Sequence, residues 1–460
     1  MSASALRPST KRYLTDYFRC PNEFAGSVTT IPALDGTQGY FAFGQEITCY
    51  GRLAGVAPAA TPEGPLYDAA QGIAIEDGAV RLGFDPQEAI TNLRHEAYTG
   101  GDARSGTRST TAKIYYFLRP LMTVGVRKHL QKMRLRNWDK RQFPRWPVDF
   151  SADNLHEQML LLAMRSRGAA RVPFVWFWPE GKAACAMMSH DVETKTGRDF
   201  CGALMDLDDS RGIKGSFTVI PEERYEVPQS YLDSIRARGH EIAVHDLNHD
   251  GHLYDHREQF LVRVKKINEY GRKFGAQGFR AAVLYRNQEW FDAFEFAYDM
   301  SVPNVAHLDP QRGGCCTTMP YFIGDLLEIP LTSIQDYPLF NILNDYSIAI
   351  WKRQTAMILE RHGLMSFIVH PDYVIDMRAR AVFEALLDHL AELREQEDVW
   401  IARPWEINAW WRQRAALRVV RNDECWRIEG AGAERARLAW ATEVDGRLEY
   451  KLEATRAVAV

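Results

Sequence analysis

From about residue 171 the chain alternates between short apolar runs and longer stretches in which apolar residues recur every three to four positions. The runs at 184–188, 215–220, 241–244, 279–283, 326–330, 364–369 and 399–402 have the length and continuity of strands buried on both faces. The stretches at 231–238, 257–274, 290–298, 348–361 and 377–394 carry the three-to-four spacing of helices with one buried side. Strands alternating with helices predict parallel strands joined by crossovers, and so an α/β fold: a distorted, closed or partly closed (β/α) barrel of about seven strands. The ends of the chain read differently. Residues 73–82 predict a hairpin about Asp77-Gly78, and Asp85-Pro86 opens a helix with a capping carboxylate and a first-turn proline. After Leu417, short alternating runs at 417–421, 425–429, 435–442 and 447–452 predict a small antiparallel appendage. The expected division is an N-terminal α+β region at 1–170, a barrel at 171–415 and the β appendage at 416–460.

Reactive residues gather where barrel strands end. Gly239-His240-Glu241-Ile242-Ala243-Val244-His245-Asp246-Leu247-Asn248-His249 is an apolar strand delivering His245 at its end and His249 four residues later. If the backbone turns helically there, two imidazoles converge on one metal ion. His252 and His256 continue the spacing, but only His245 directly ends an apolar run, so those two are expected at the rim. The run 183–188 ends in Ser189-His190-Asp191-Val192-Glu193. Strand alternation puts Asp191 and Glu193 on one face, where one carboxylate can bind a metal and the other handle protons. An isolated Asp-x-Glu more often caps a helix or pairs with a surface arginine; two downstream histidines shift the balance toward a metal site with an open coordination position.

The order of these motifs resembles the polysaccharide deacetylase superfamily, the NodB-homology or carbohydrate esterase family four group. That family runs from an acidic strand end through Gly-His-Glu-Ile-Gly-x-His-x-x-x-His to an Arg-Pro-Pro-Tyr-like strand end and a last strand ending in histidine. The matching segments are Ser189 to Glu193, Gly239 to His249, Gly278-Phe279-Arg280-Ala281-Ala282-Val283 and Leu364 to Asp372, within residues 173–411. The resemblance implies Asp191 as catalytic base, His245 and His249 as ligands of a divalent metal, most readily Zn²⁺, Arg280 as partner of the base, and His370 as general acid. Departures are visible. The family's second aspartate falls on Val192, so Glu193 is the expected third ligand. Arg-Pro-Pro-Tyr has become Arg280-Ala281-Ala282-Val283, leaving the Val283 N–H as a candidate oxyanion donor. The fourth motif corresponds to Tyr298-Asp299-Met300-Ser301-Val302, with Asp299 expected to orient His370 and Asp309 as the fallback.

Composition narrows the partners. With 56 Lys plus Arg against 60 Asp plus Glu, the net charge of −4 offers no global basic field for nucleic acid. Seven scattered cysteines, Cys315 and Cys316 adjacent among them, predict reduced thiols. Residues 1–24 lack a continuous apolar segment and no run has spanning length, which predicts a cytoplasmic protein. The stretch 117–147 combines apolar residues with nine Lys and Arg opposed only by Asp139. It is read either as a solvated helix face or as peripheral contact with an anionic membrane surface. The reading is a metal-dependent hydrolase removing N- or O-acetyl groups from a glycan or lipid-linked glycan precursor, as in exopolysaccharide or capsule biosynthesis. Two alternatives stand beside it: an amidohydrolase of a small amide or imide, and a non-catalytic glycan-binding scaffold.

Overall fold

A computed structural model describes residues 12–30, 34–76, 78–100, 133, 135, 137–422 and 425–453. Most of the basic stretch 117–147 lies outside them. The chain forms two compact units, one from residues 1–94, 150–181 and 410–460, the other from 95–149 and 182–409. The cuts therefore fall elsewhere than at 170 and 416. Arg171–Val175, placed by the sequence at the start of the barrel, pairs antiparallel with Leu438–Val444, which in turn pairs with Arg447–Leu452. The first unit also holds the hairpin Ala74–Glu76 with Ala79–Leu82, as the Asp-Gly signal predicts. The largely buried helix Ser151–Arg167 belongs to the same unit.

The second unit contains the barrel sheet. Its strands are β1 (Cys185–Val192), β2 (Ser216–Val219), β3 (Glu241–His245), β4 (Gly278–Arg280), β5 (Tyr298–Asp299), β6 (Tyr321–Ile323), β7 (Leu326–Glu328), β8 (Leu364–Ile368) and β9 (Trp400–Ile401). They lie in the order β6-β7-β5-β4-β3-β2-β1-β8, with β9 pairing on β1. All pairs are parallel except β6 with β7. All seven expected strands are present; β5 and β6 are additional. The expected helix at 290–298 is instead a short 3₁₀ segment, Gln288–Ala293, that gives way to the extended β5. Phe291, Phe294 and Phe296 face inward there, a spacing that mixes the helical and strand periods.

The crossovers are helices α1 (Lys195–Ser210), α2 (Gln229–Ala237), α3 (Arg257–Phe274), α4 (Ala349–Leu359) and α5 (Met377–Gln396). Thr194 caps α1 by accepting from Gly197 N–H, and Asp376 caps α5 through Arg378 and Ala379 N–H, each satisfying donors a first turn leaves free. β1 is buried at every position, which explains its continuous apolar run. Its polar end survives burial because each side chain is paired: Ser189 Oγ donates to Phe367 O at 2.7 Å, and His190 Nε2 lies 2.9 Å from Asp208. The curl leaves a seam between the segment after β7 and β8. Hydroxyls close it: Thr332 Oγ1 donates to Leu364 O at 2.6 Å and accepts from Ser366 N–H at 2.9 Å, while Ser366 Oγ donates to Pro330 O at 2.5 Å. No helix among the described residues is long and apolar enough to cross a membrane.

Candidate active site

The C-terminal strand ends bring the predicted residues together. Glu193 follows β1, His245 ends β3 and His249 lies in the loop beyond, and one ligand atom from each falls within 4.8 Å of the other two. Glu193 Oε1 is 2.8 Å from His249 Nε2 and 3.9 Å from His245 Nε2. Both Nε2 atoms are buried, and beyond these ion-pair contacts with Glu193 neither has a hydrogen-bond partner. Orphaned buried nitrogens are costly, and two of them beside a carboxylate are what a cation site presents. His245 Nδ1 lies 3.1 Å from Arg280 O; donating there puts its ring proton on Nδ1 and leaves the Nε2 lone pair facing the cluster. The residues fit a divalent cation.

The turn that achieves this is not helical. Asp246 and His249 take φ of 56° and 57°, the left-handed region, so the two histidines converge through a kinked loop. The four-residue spacing points correctly to convergence, but for a helical reason that the backbone does not use. His252 lies outside the cluster, with Nδ1 2.6 Å from Asp255 in a half-exposed pair. His256 precedes α3 and is likewise not in the cluster.

Asp191 occupies the next layer. Its Oδ1 accepts from Arg280 Nη1 and Thr218 Oγ1, both at 2.7 Å, while Oδ2 sits 3.8 Å from His245 Nε2 on the cluster side. Arg280, fully buried, is fixed by Ser189 Oγ at 2.8 Å and Met300 O at 3.0 Å. Burial pushes the Asp191 carboxyl up, but Arg280, His245 and His370 outweigh it and hold it well below the usual carboxylate range. Glu193 is likewise pushed up by burial and carried well below its ordinary value by His249, His245 and His370.

His370, just past β8, puts Nε2 3.5 Å from Glu193 Oε1. Its other nitrogen corrects an expectation. Nδ1 lies 2.7 Å from Asp336 Oδ1, and the His370 backbone N–H donates to Asp336 Oδ2 at 2.7 Å. Asp299 instead accepts from the N–H and Oγ of Ser301, both at 2.9 Å, and Asp309 accepts from Gln335 Nε2 at 2.9 Å. The reason is topological: in the sheet order β4, β3, β2 and β1 stand between β5, which carries Asp299, and β8, whereas the segment after β7 crosses the seam to β8. Burial lowers the His370 imidazole, but Asp336 and Glu193 outweigh it and raise it well above the ordinary histidine value.

Val283 stands at φ 58° and Leu284 at 53°, left-handed conformations that β-branched and bulky residues rarely accept and that cluster at functional sites. Sequence reasoning missed Thr218, Ser189 and Asp336. Thr218 and Ser189 carry the strand-end polar signal that marks Asp191; Asp336 sits in a polar step, Gln335-Asp336, after an apolar strand.

No protein-family model matches the sequence, and no curated protein matches it. Solved structures do. A Mycobacterium smegmatis protein assigned as a polysaccharide deacetylase is 19% identical, covering 55% of this chain and 98% of its own at a TM-score of 0.42. The allantoinase Puue is 12% identical, with 51% and 92% covered at 0.39. A family 4 acetyl xylan esterase from Clostridium thermocellum, solved with a cobalt ion, is 12% identical, with 49% and 91% covered at 0.31. Polysaccharide deacetylase structures are thus among those similar to this chain.

Proposed function

We propose that the protein is a Zn²⁺-dependent hydrolase that removes acetyl groups, N- or O-linked, from a glycan or lipid-linked glycan precursor. One observation carries the reading: three convergent ligand atoms stand between a carboxylate gripped by arginine and an imidazole gripped by aspartate. Two histidines and one carboxylate form a mixed nitrogen and oxygen set that suits zinc and leaves a coordination position open. The motif order supports acetyl transfer to water; the glycan rests on the resemblance drawn from those motifs.

When bound, a divalent cation supplies Lewis acidity that acidifies water and polarises an acyl oxygen. The protein's own groups handle the protons. Asp191 Oδ2, the oxygen not engaged by Arg280 or Thr218, takes a proton as the water oxygen bonds to the acyl carbon. A carboxylate held this low stays ionised across neutral pH; it is a weak base, suited to a proton that is already acidic. His370 Nε2 gives its proton to the leaving nitrogen or oxygen as the bond to the acyl carbon breaks, and Asp336 stabilises the imidazolium beforehand. The Val283 N–H is assigned to the developing oxyanion.

Acetate release from an N-acetylated oligosaccharide tests the reading. Asp191→Asn is expected to retain zinc while losing about 10²–10⁴-fold in turnover. Full turnover by that variant removes Asp191 from the role of base. Hydrolysis confined to small amides or imides replaces the glycan with the alternative substrate class.

A further inference from the structure

The loop carrying His249 is gripped from outside. Beyond β2 the chain crosses toward it, and Glu222 N–H donates to Leu247 O at 3.0 Å. Two residues on, Arg224 Nη2 donates to His249 O at 2.6 Å and Nε to Asn248 O at 3.2 Å. On the far side of His249, Arg263 of α3 donates to both carboxylate oxygens of Asp250, at 2.8 and 2.7 Å. The left-handed turn at His249, which a non-glycine residue rarely holds unaided, is thus pinned on both flanks. Arg224 Nη2 also comes within 3.5 Å of His249 Nδ1, the outer limit of a hydrogen bond. A neutral His249 that offers the Nε2 lone pair to a cation carries its proton on Nδ1 and cannot accept there, so the grip runs through the carbonyl.

We propose that Arg224, an exposed residue outside the ligand set, is a positioning residue for cation binding: it fixes the His249 backbone so that the imidazole is pre-set for ligation. The proposal rests on the metal-site reading above. It carries an electrostatic signature. A guanidinium this close to a dication repels it, so removing a bystander arginine tightens metal binding or leaves it unchanged. Removing a positioning arginine weakens it.

The experiment is a zinc titration of the metal-stripped full chain against a chromogenic chelator, for the wild type, Arg224→Ala, Arg224→Lys and His249→Ala. Arg224→Ala is expected to bind zinc 10–100-fold more weakly, the range typical of lost support around a metal ligand, with the metal-free unfolding midpoint unchanged. Arg224→Lys, which keeps a donor for one carbonyl, is expected to fall between. Zinc bound by Arg224→Ala as tightly as by the wild type, or more tightly, overturns the proposal and leaves the metal site standing. So does an equal loss of metal-free stability, which makes Arg224 a fold residue. A wild type without stoichiometric zinc, or a His249→Ala variant that binds like the wild type, overturns the site itself.

Discussion

Asp336 grips His370 twice, at the ring and at the backbone, and the double contact sets both the orientation and the charge of the imidazole. In the general-acid role proposed for it, His370 must be protonated to act, so activity is expected to fall as pH rises through its pKa. With Asp336 present that pKa is raised well above the ordinary histidine value, burial being outweighed by the carboxylate. Asp336→Asn keeps the shape and removes the charge. Its expected result is a kcat/KM lowered by about 10–100-fold, with the alkaline limb of the pH profile moved to lower pH. An alkaline limb that stays in place removes Asp336 from that role. The difference between Asp336 and Asp299 also marks where single residues stop being legible. Asp191, Glu193, His245, His249, Arg280 and His370 announce themselves because each ends or follows an apolar run. The partner of His370 is a loop residue whose position depends on which strands become neighbours across the seam, and no local pattern carries that.

Among the elements, β3 shows how a strand that serves the site carries a cost at its other end. Glu241 begins it, half-buried, with Oε2 accepting from Trp405 N–H at 3.1 Å and Oε1 buried without a partner. Burial pushes its carboxyl up to about 8. The unfolded chain ionises near the ordinary value of about 4.3. Below that pH both states hold the proton; as pH rises toward 8 the unfolded state releases it first, and stability drains away across the window. Glu241→Gln cannot ionise. Its unfolding midpoint is expected to gain on the wild type progressively from about pH 4.5 to 8; a constant difference across that window contradicts the burial assigned to Glu241. Elements as a class were readable where one period dominated. The continuous apolar runs became strands and the long three-to-four patterns became α2, α3, α4 and α5. The failure at 290–298 came where phenylalanines at mixed spacing fit both periods, and the left-handed turn at His249 came where a helical spacing was met by a different backbone path.

For the molecule as a whole, the site belongs to one unit, residues 95–149 and 182–409, and its groups come from within or just after β1, β2, β3, β4, β7 and β8. Bringing the segment after β7 against β8 completes the site: Asp336 meets His370 beside the seam that Thr332 and Ser366 bridge. The alternation of strands and helices made the barrel legible. The discontinuous first unit was not, because pairing between Arg171–Val175 and Leu438–Val444 joins segments some 260 residues apart, a separation no periodicity records. The central claim is that Glu193, His245 and His249 share one divalent ion. Anomalous diffraction from crystals grown with zinc, collected on both sides of the zinc edge, tests it most directly. The account predicts one strong peak about 2.0–2.2 Å from a Glu193 carboxylate oxygen and from both Nε2 atoms; zinc bound elsewhere, or no peak at these three residues in zinc-loaded crystals, contradicts it.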